Sequence, residues 1–170
     1  MKRVVIAVAC AVALLAGQGV AQAQQKKGDK EITMNALVMT FFGGGSTSTV
    51  GTVFFNVGVF TSDRLEVGGG PTISFFSSGG DTDTSGGANF FTRYFLGAQA
   101  AKVKPFVGGD YNIFDFEAAG DSQFASGLFG VRNYISERAA LDFTGQYGVN
   151  VKHAGDQQNL TFRVGITVLF

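Results

Sequence analysis

From Asn159 to Val168 polar and apolar residues alternate, and the chain then ends on Leu169-Phe170. Leu160, Phe162, Val164, Ile166, Val168 and Phe170 fall on one face of an extended strand; Asn159, Thr161, Arg163, Gly165 and Thr167 fall on the other. Successive side chains of a strand point to opposite sides, so the segment has one apolar and one polar surface. Similar period-2 segments recur between turn signals. They predict strands at residues 31–42, 50–60, 65–76, 88–96, 105–116, 124–135, 139–152 and 159–170. An even set of alternating strands, ending on an aromatic, predicts an all-β fold: an eight-stranded antiparallel transmembrane β-barrel in up-and-down meander order.

The connections alternate in kind. Thr61-Ser62-Asp63-Arg64 and Ser136-Glu137-Arg138 read as tight turns, and residues 99–104 as a short polar link. Looser stretches rich in Gly, Ser and Asp lie at 43–49, 77–87, 117–122 and 153–158. Short periplasmic turns and longer extracellular loops have this rhythm. An even strand number then places both termini on the periplasmic side.

Facing follows from keeping charge out of lipid, where Arg or Lys costs about 2–4 kcal/mol at the midplane. Strand two turns Val53, Phe55, Val57 and Val59 outward, with Thr52, Asn56 and Gly58 inward. Strand seven turns Leu141, Phe143, Tyr147, Val149 and Val151 outward, with Asp142, Thr144, Gln146 and Asn150 inward. The same rule sends Glu66, Arg93, Asp110, Arg132 and Arg163 inside. The expected lumen network is therefore Arg93, Arg132 and Arg163 against Glu66, Asp110 and Asp142. Buried charges must be paired, and about eight strands leave an interior only wide enough for side chains. In strands four and five Phe90-Phe91 and Phe106 break the alternation. Phe91, Phe95 or Phe106 must then face inward, or the register assigned here is off.

The N-terminus changes where this barrel is expected to sit. Lys2 and Arg3 precede an apolar run from Val4 to Ala16, and Ala21-Gln22-Ala23 supplies a small-x-small site, so residues 1–23 read as a signal peptide cut before Gln24. The run is shorter than the roughly 20 apolar residues of a transmembrane helix. Residues 24–30 are polar and are expected to form a short, mobile periplasmic tail, and 31–170 the barrel. Cys10 is the only cysteine; it lies in the apolar run and leaves with it, so no disulfide is available in an oxidising compartment. Losing Lys2 and Arg3 leaves 11 basic against 13 acidic residues, which argues against nucleic acid as a partner. The remaining 147 residues fit one domain.

Candidate chemistry is sparse. A lipid-trimming hydrolase needs a nucleophile, a His base and an acid to orient it. The only histidine is His153, within Lys152-His153-Ala154-Gly155-Asp156, with no serine two residues on. No catalytic residue, metal ligand or cofactor is expected. Asp81, Asp83, Asp115, Glu117, Asp121 and Asp156 carry the oxygens a divalent cation prefers, but in no spacing that defines a calcium loop. Gly68-Gly69-Gly70 lies inside a strand, where glycine relieves crowding or permits curvature.

Arg93-Tyr94-Phe95-Leu96, followed by Val103-Lys104-Pro105-Phe106-Val107-Gly108-Gly109, resembles the small outer-membrane barrels typified by OmpX and the membrane domain of OmpA. Leu128 to Tyr134 is similar to their sixth strand, and Val164 to Phe170 to their last. The resemblance spans residues 31–170. It implies a monomer in the outer membrane of a Gram-negative bacterium, in contact with outer-membrane lipids and lipopolysaccharide, with a structural or surface-interacting role. It also implies that Phe170 is read as a signal by the barrel assembly machinery. A narrow channel for ions or small solutes is the alternative, and a lipid A-modifying enzyme a more distant one.

Overall fold

The computed structural model describes residues 25–43, 46–78, 81–117, 123–152 and 158–170. Their elements are β1 (Lys30–Gly43), β2 (Ser46–Phe60), β3 (Leu65–Ser78), β4 (Asp81–Phe95), β5 (Val103–Ile113), β6 (Gln123–Tyr134), β7 (Ala139–Asn150) and β8 (Gln158–Leu169). Each strand pairs antiparallel with the next, and β8 returns to β1 to close an eight-stranded meander barrel. Closure removes the free edges that an open sheet would expose. At the seam Glu31 lies opposite Leu169 and Ala36 opposite Val164. Beyond it Phe170 N–H donates to the Lys30 carbonyl at 2.9 Å.

The alternation in the sequence becomes the two surfaces of the wall. Along β8, Thr161, Arg163, Gly165, Thr167 and Leu169 are buried, while Leu160, Phe162, Val164, Ile166 and Val168 are exposed. Phe162 at 66% and Val38 at 64% exposure show how bare this outer belt is. So apolar an exterior is stable against lipid rather than water. Phe170 also lies outside, 61% exposed.

Strands four and five follow from packing in the lumen. Phe91, Phe95 and Phe106 are buried inside, and Phe90 points out. The register is not displaced; aromatic side chains simply occupy inward positions.

Two expectations are corrected. The segment 77–87 is not a long flexible loop: β3 runs to Ser78 and β4 starts at Asp81, with Ser77 paired to Thr82, Phe76 to Asp83 and Phe75 to Thr84. Gly43 and residues 46–49 likewise belong to paired strands, with Gly43 opposite Ser46 and Phe42 opposite Thr47. Thr recurs in both segments and suits a paired strand, a preference that their Gly, Ser and Asp content hides. The tail is the second correction. Residues 25–29 are not free but hydrogen-bonded to the barrel, as detailed below. His153 and Asp156, Asp121 and the stretch 1–23 lie outside the described residues.

The two tight turns share one device. Ser62 Oγ accepts from Leu65 N–H at 3.0 Å and Ser136 Oγ from Ala139 N–H at 3.0 Å. A short hydroxyl side chain thereby satisfies backbone donors the ladder leaves over. In the first of these turns Asp63 accepts from the Lys27 backbone N–H and a Gln99 side chain, which hold its carboxyl below the ordinary aspartate value.

The wall's energetics can be tested at Val164, half-way along β8 and 54% exposed. Val164→Arg should lower stability in lipid vesicles by about 2–4 kcal/mol, while Val164→Leu should leave it unchanged. Urea unfolding after refolding into vesicles measures both.

Candidate functional site

The chemistry of this molecule is concentrated in the lumen. Among the described residues the buried charges are Glu31, Glu66, Asp110 and Asp142 against Arg93, Lys104, Arg132 and Arg163. Signs balance, four against four. Ions removed from water cost several kcal/mol each unless partners replace the lost hydration.

Five of the eight form one cluster. Arg132 on β6 is its centre, with no solvent exposure. Its Nε donates to Asp142 Oδ1 at 2.7 Å and its Nη2 to Asp142 Oδ2 at 2.7 Å, a two-pronged contact across the adjoining β7. Its Nη2 also donates to Glu31 Oε1 at 2.9 Å, reaching across the lumen to β1. Planar guanidinium matches carboxylate geometry in this paired fashion, which lysine cannot do. Arg93 on β4 lies within 3.7 Å of Glu31, 3.5 Å of Glu66 and 3.4 Å of Asp142. Hydroxyls complete the set: Thr33 donates to Glu31 Oε1 at 3.0 Å and Thr167 to Asp142 Oδ2 at 3.0 Å.

Space for the cluster comes from a missing side chain. Gly58 faces the lumen beside it, and a methyl there would overlap Glu66 Oε1 and stand 2.9 Å from Glu31 Cγ. Toward the turn end lies a second seal. Phe60, Phe95 and Phe106 pack with centroids 5.7 and 5.5 Å apart. The guanidinium of Arg132 sits 4.9 Å from the Phe95 centroid, and that of Arg93 lies 5.4 Å from Phe106 and 4.3 Å from Phe91. Cations over ring faces recover part of their lost hydration.

Arg163 and Asp110 form a separate group. Arg163 Nη2 donates to Asp110 Oδ2 and to Gln146 Oε1, and Gln146 Nε2 donates to Ser126 Oγ at 2.9 Å. The Arg163 guanidinium also covers Phe54 at 4.5 Å. Nearby, Asn89 Nδ2 donates to Asn112 Oδ1 at 2.8 Å, and Phe54, Phe114 and Phe124 stack edge to face.

The six residues expected as one network are therefore divided. Glu66, Arg93, Arg132 and Asp142 meet; Asp110 and Arg163 pair apart from them. Sequence reasoning missed Glu31 and Lys104. Both were legible: Glu31 alternates with Ile32, Met34 and Ala36, and Lys104 precedes the inward Phe106 by two. Assigning no facing to strand one hid the first, and reading 99–104 as a link hid the second.

The contacts rank the members. Both Glu66 oxygens lack a hydrogen bond, whereas Asp142 accepts several. Arg132→Met, which strands Glu31 and Asp142, should cost about 3–5 kcal/mol. Glu66→Gln should cost no more than about 1 kcal/mol. Urea titrations of the refolded variants test the ranking, and equal losses would contradict it.

No family model matches this chain, and neither does any curated protein. Solved structures do. The N-terminal β-barrel domain of Pseudomonas aeruginosa OprF is similar with a TM-score of 0.55 at 15% identity, over 86% of this chain and 100% of that one. The outer membrane protein OprG of the same organism gives a TM-score of 0.55 at 14% identity, over 88% of this chain and 99% of that one. At such identities the likeness is one of fold. With its closed meander, apolar exterior and polar interior, the chain has the fold of the small eight-stranded outer-membrane β-barrels.

Proposed function

We propose that this chain is a small integral outer-membrane protein with a structural or surface-interacting role and no open pore. The observation that carries this reading is the lumen cross-section. The cluster around Arg132 and the ring layer of Phe60, Phe95 and Phe106 are stacked there with almost no exposure. An ion would have to break paired charges and then pass an apolar layer. Both termini are proposed to be periplasmic, because they share one end with the tight turns. Outer-membrane lipids and lipopolysaccharide are its proposed surroundings, and it is proposed to act as a monomer without a cofactor.

The channel reading has one observation of its own. Toward the loop end the lumen carries uncharged polar groups, with Asn56 Nδ2 and Oδ1, Thr72 Oγ1 and Asn112 Nδ2 all lacking partners. They line only part of the path, and the layers described above block the rest.

Cell fractionation together with planar-bilayer recording tests the proposal. Expected are recovery in the outer membrane with heat-modifiable gel mobility, and no steady conductance from the purified protein. Recovery in soluble periplasm would overturn the location; steady openings would overturn the plug and favour the channel.

Phe170 is proposed to act as an assembly signal. Its side chain lies outside the barrel, and its backbone closes the seam with Lys30. Burial of such a ring is worth about 1.5–3 kcal/mol, little beside a whole barrel. Deleting Phe170 should therefore lower outer-membrane yield in cells far more than it lowers stability after refolding in detergent. Equal losses would mean that Phe170 only packs.

A further inference from the structure

The chain ahead of β1 turns back on the barrel it leads into. Asp29 N–H donates to the Lys26 carbonyl at 3.0 Å, and Lys26 N–H to Asp29 Oδ2 at 2.8 Å. Gly28 takes the left-handed φ of +97° that this reversal demands. The turn is fastened to the neighbouring hairpin at three points. Gly28 N–H donates to the Phe60 carbonyl at 2.8 Å and Phe60 N–H to the Asp29 carbonyl at 2.9 Å. Lys27 N–H donates to Asp63 Oδ1 at 3.0 Å.

Reversal carries Gln25 into the mouth of the barrel. A glutamine two residues beyond a predicted cleavage site is ordinarily solvated, yet Gln25 is 1% exposed. Its Oε1 accepts from Lys104 Nζ at 3.3 Å. Lys104 is itself 2% exposed and lies 5.2 Å from the Tyr134 ring. Lysine is almost never so buried in a soluble setting. Here the amine sits at the end of the lumen where bulk water would otherwise reach it.

We propose that residues 25–29 are a built-in stopper that closes the turn-end mouth of the barrel, held by Gln25 on Lys104 and by the turn on Phe60 and Asp63. The stopper adjoins the charge cluster, since Lys104 lies opposite Arg132 across the β5–β6 ladder, but its own contacts run to Lys104, Phe60 and Asp63. It makes access to this end of the lumen depend on a five-residue segment that can release without any strand unpairing. Local opening of such a segment is far easier than opening of the barrel.

The test uses the reactivity of the native lysines. The chain from Gln24 is refolded in detergent, treated with a small amine-acetylating reagent and read by mass spectrometry over time. Lys26 and Lys27 should react quickly and Lys104 slowly. A chain starting at Lys30 should acetylate Lys104 about tenfold faster or more, with unchanged heat-modifiable mobility. If that chain does not fold, Gln25→Gly in the full-length form should show the same direction of change. Lys104 reacting as fast as Lys27 in the intact chain, or unaltered when Gln25 or the tail is gone, would overturn the stopper. Amide exchange gives a second reading: the Gly28 N–H should be protected, and exchange at the rate of a free peptide would also overturn it. Both measurements are made in detergent, so their outcome does not depend on where the protein resides in the cell.

Discussion

A guanidinium with no access to water is the constraint around which this barrel is arranged. Arg132 is tolerable only because Glu31 and Asp142 present fixed carboxylates to it. Those carboxylates are in turn oriented by Thr33 and Thr167. Remove the pairing and the desolvation penalty stands alone; keep it and the arrangement fixes geometry more than it adds stability. The neighbouring choices follow. Gly58 leaves the room that the carboxylates need. Phenylalanines cover the guanidinium faces where no further hydrogen bond is available. A lumen this narrow must be filled by something, and here it is filled by charge capped with rings.

The same cluster bears on how the barrel closes. The β1–β8 seam joins residues at opposite ends of the chain, and its ladder runs only from Glu31 to Ala36 on β1, whereas β1 pairs with β2 along its full length. Contacts between distant residues cost chain entropy before they return anything. Arg132 ties β1 to β6 and β7 across the interior, and Thr33 and Thr167, opposite one another at the seam, anchor its two strands to Glu31 and Asp142 of the same cluster. Polar groups inside thus reinforce the least extensive junction of the wall. A one-residue slip at that junction would turn Glu31 toward lipid and Ile32 toward the carboxylates, so the charge also holds the register.

Much of this was legible in the sequence, because period-2 alternation and the cost of charge in lipid act residue by residue. The inward placement of Arg93, Asp110, Arg132, Asp142 and Arg163 needs nothing more. What those rules do not contain is distance around the barrel. Asp110 and Arg163 alternate as correctly as Asp142 does, yet the stagger of the strands puts them at another level, so one expected network becomes two groups. Composition misled at 77–87, where Ser, Gly and Asp look like loop but continue β3 and β4 as a paired ribbon. It misled again at 25–30, where polar residues look solvated while backbone groups of Lys27, Gly28 and Asp29 are spoken for by Phe60 and Asp63. In both places the deciding partner lies on another strand, beyond any window read along the chain.

Why a chain can keep this fold at 14–15% identity to solved barrels follows from the same division of labour. The wall asks only for alternation, strand length and turns, and very many sequences supply those. The lumen asks for something more specific, namely that every charge admitted should find its opposite at the same height. Each solution to that second demand is a local bargain among a few side chains, such as Glu31 and Asp142 on Arg132 or Asp110 on Arg163. Such groups can be exchanged for others without disturbing the wall. Resemblance in fold therefore carries over far more readily than the contents of the lumen.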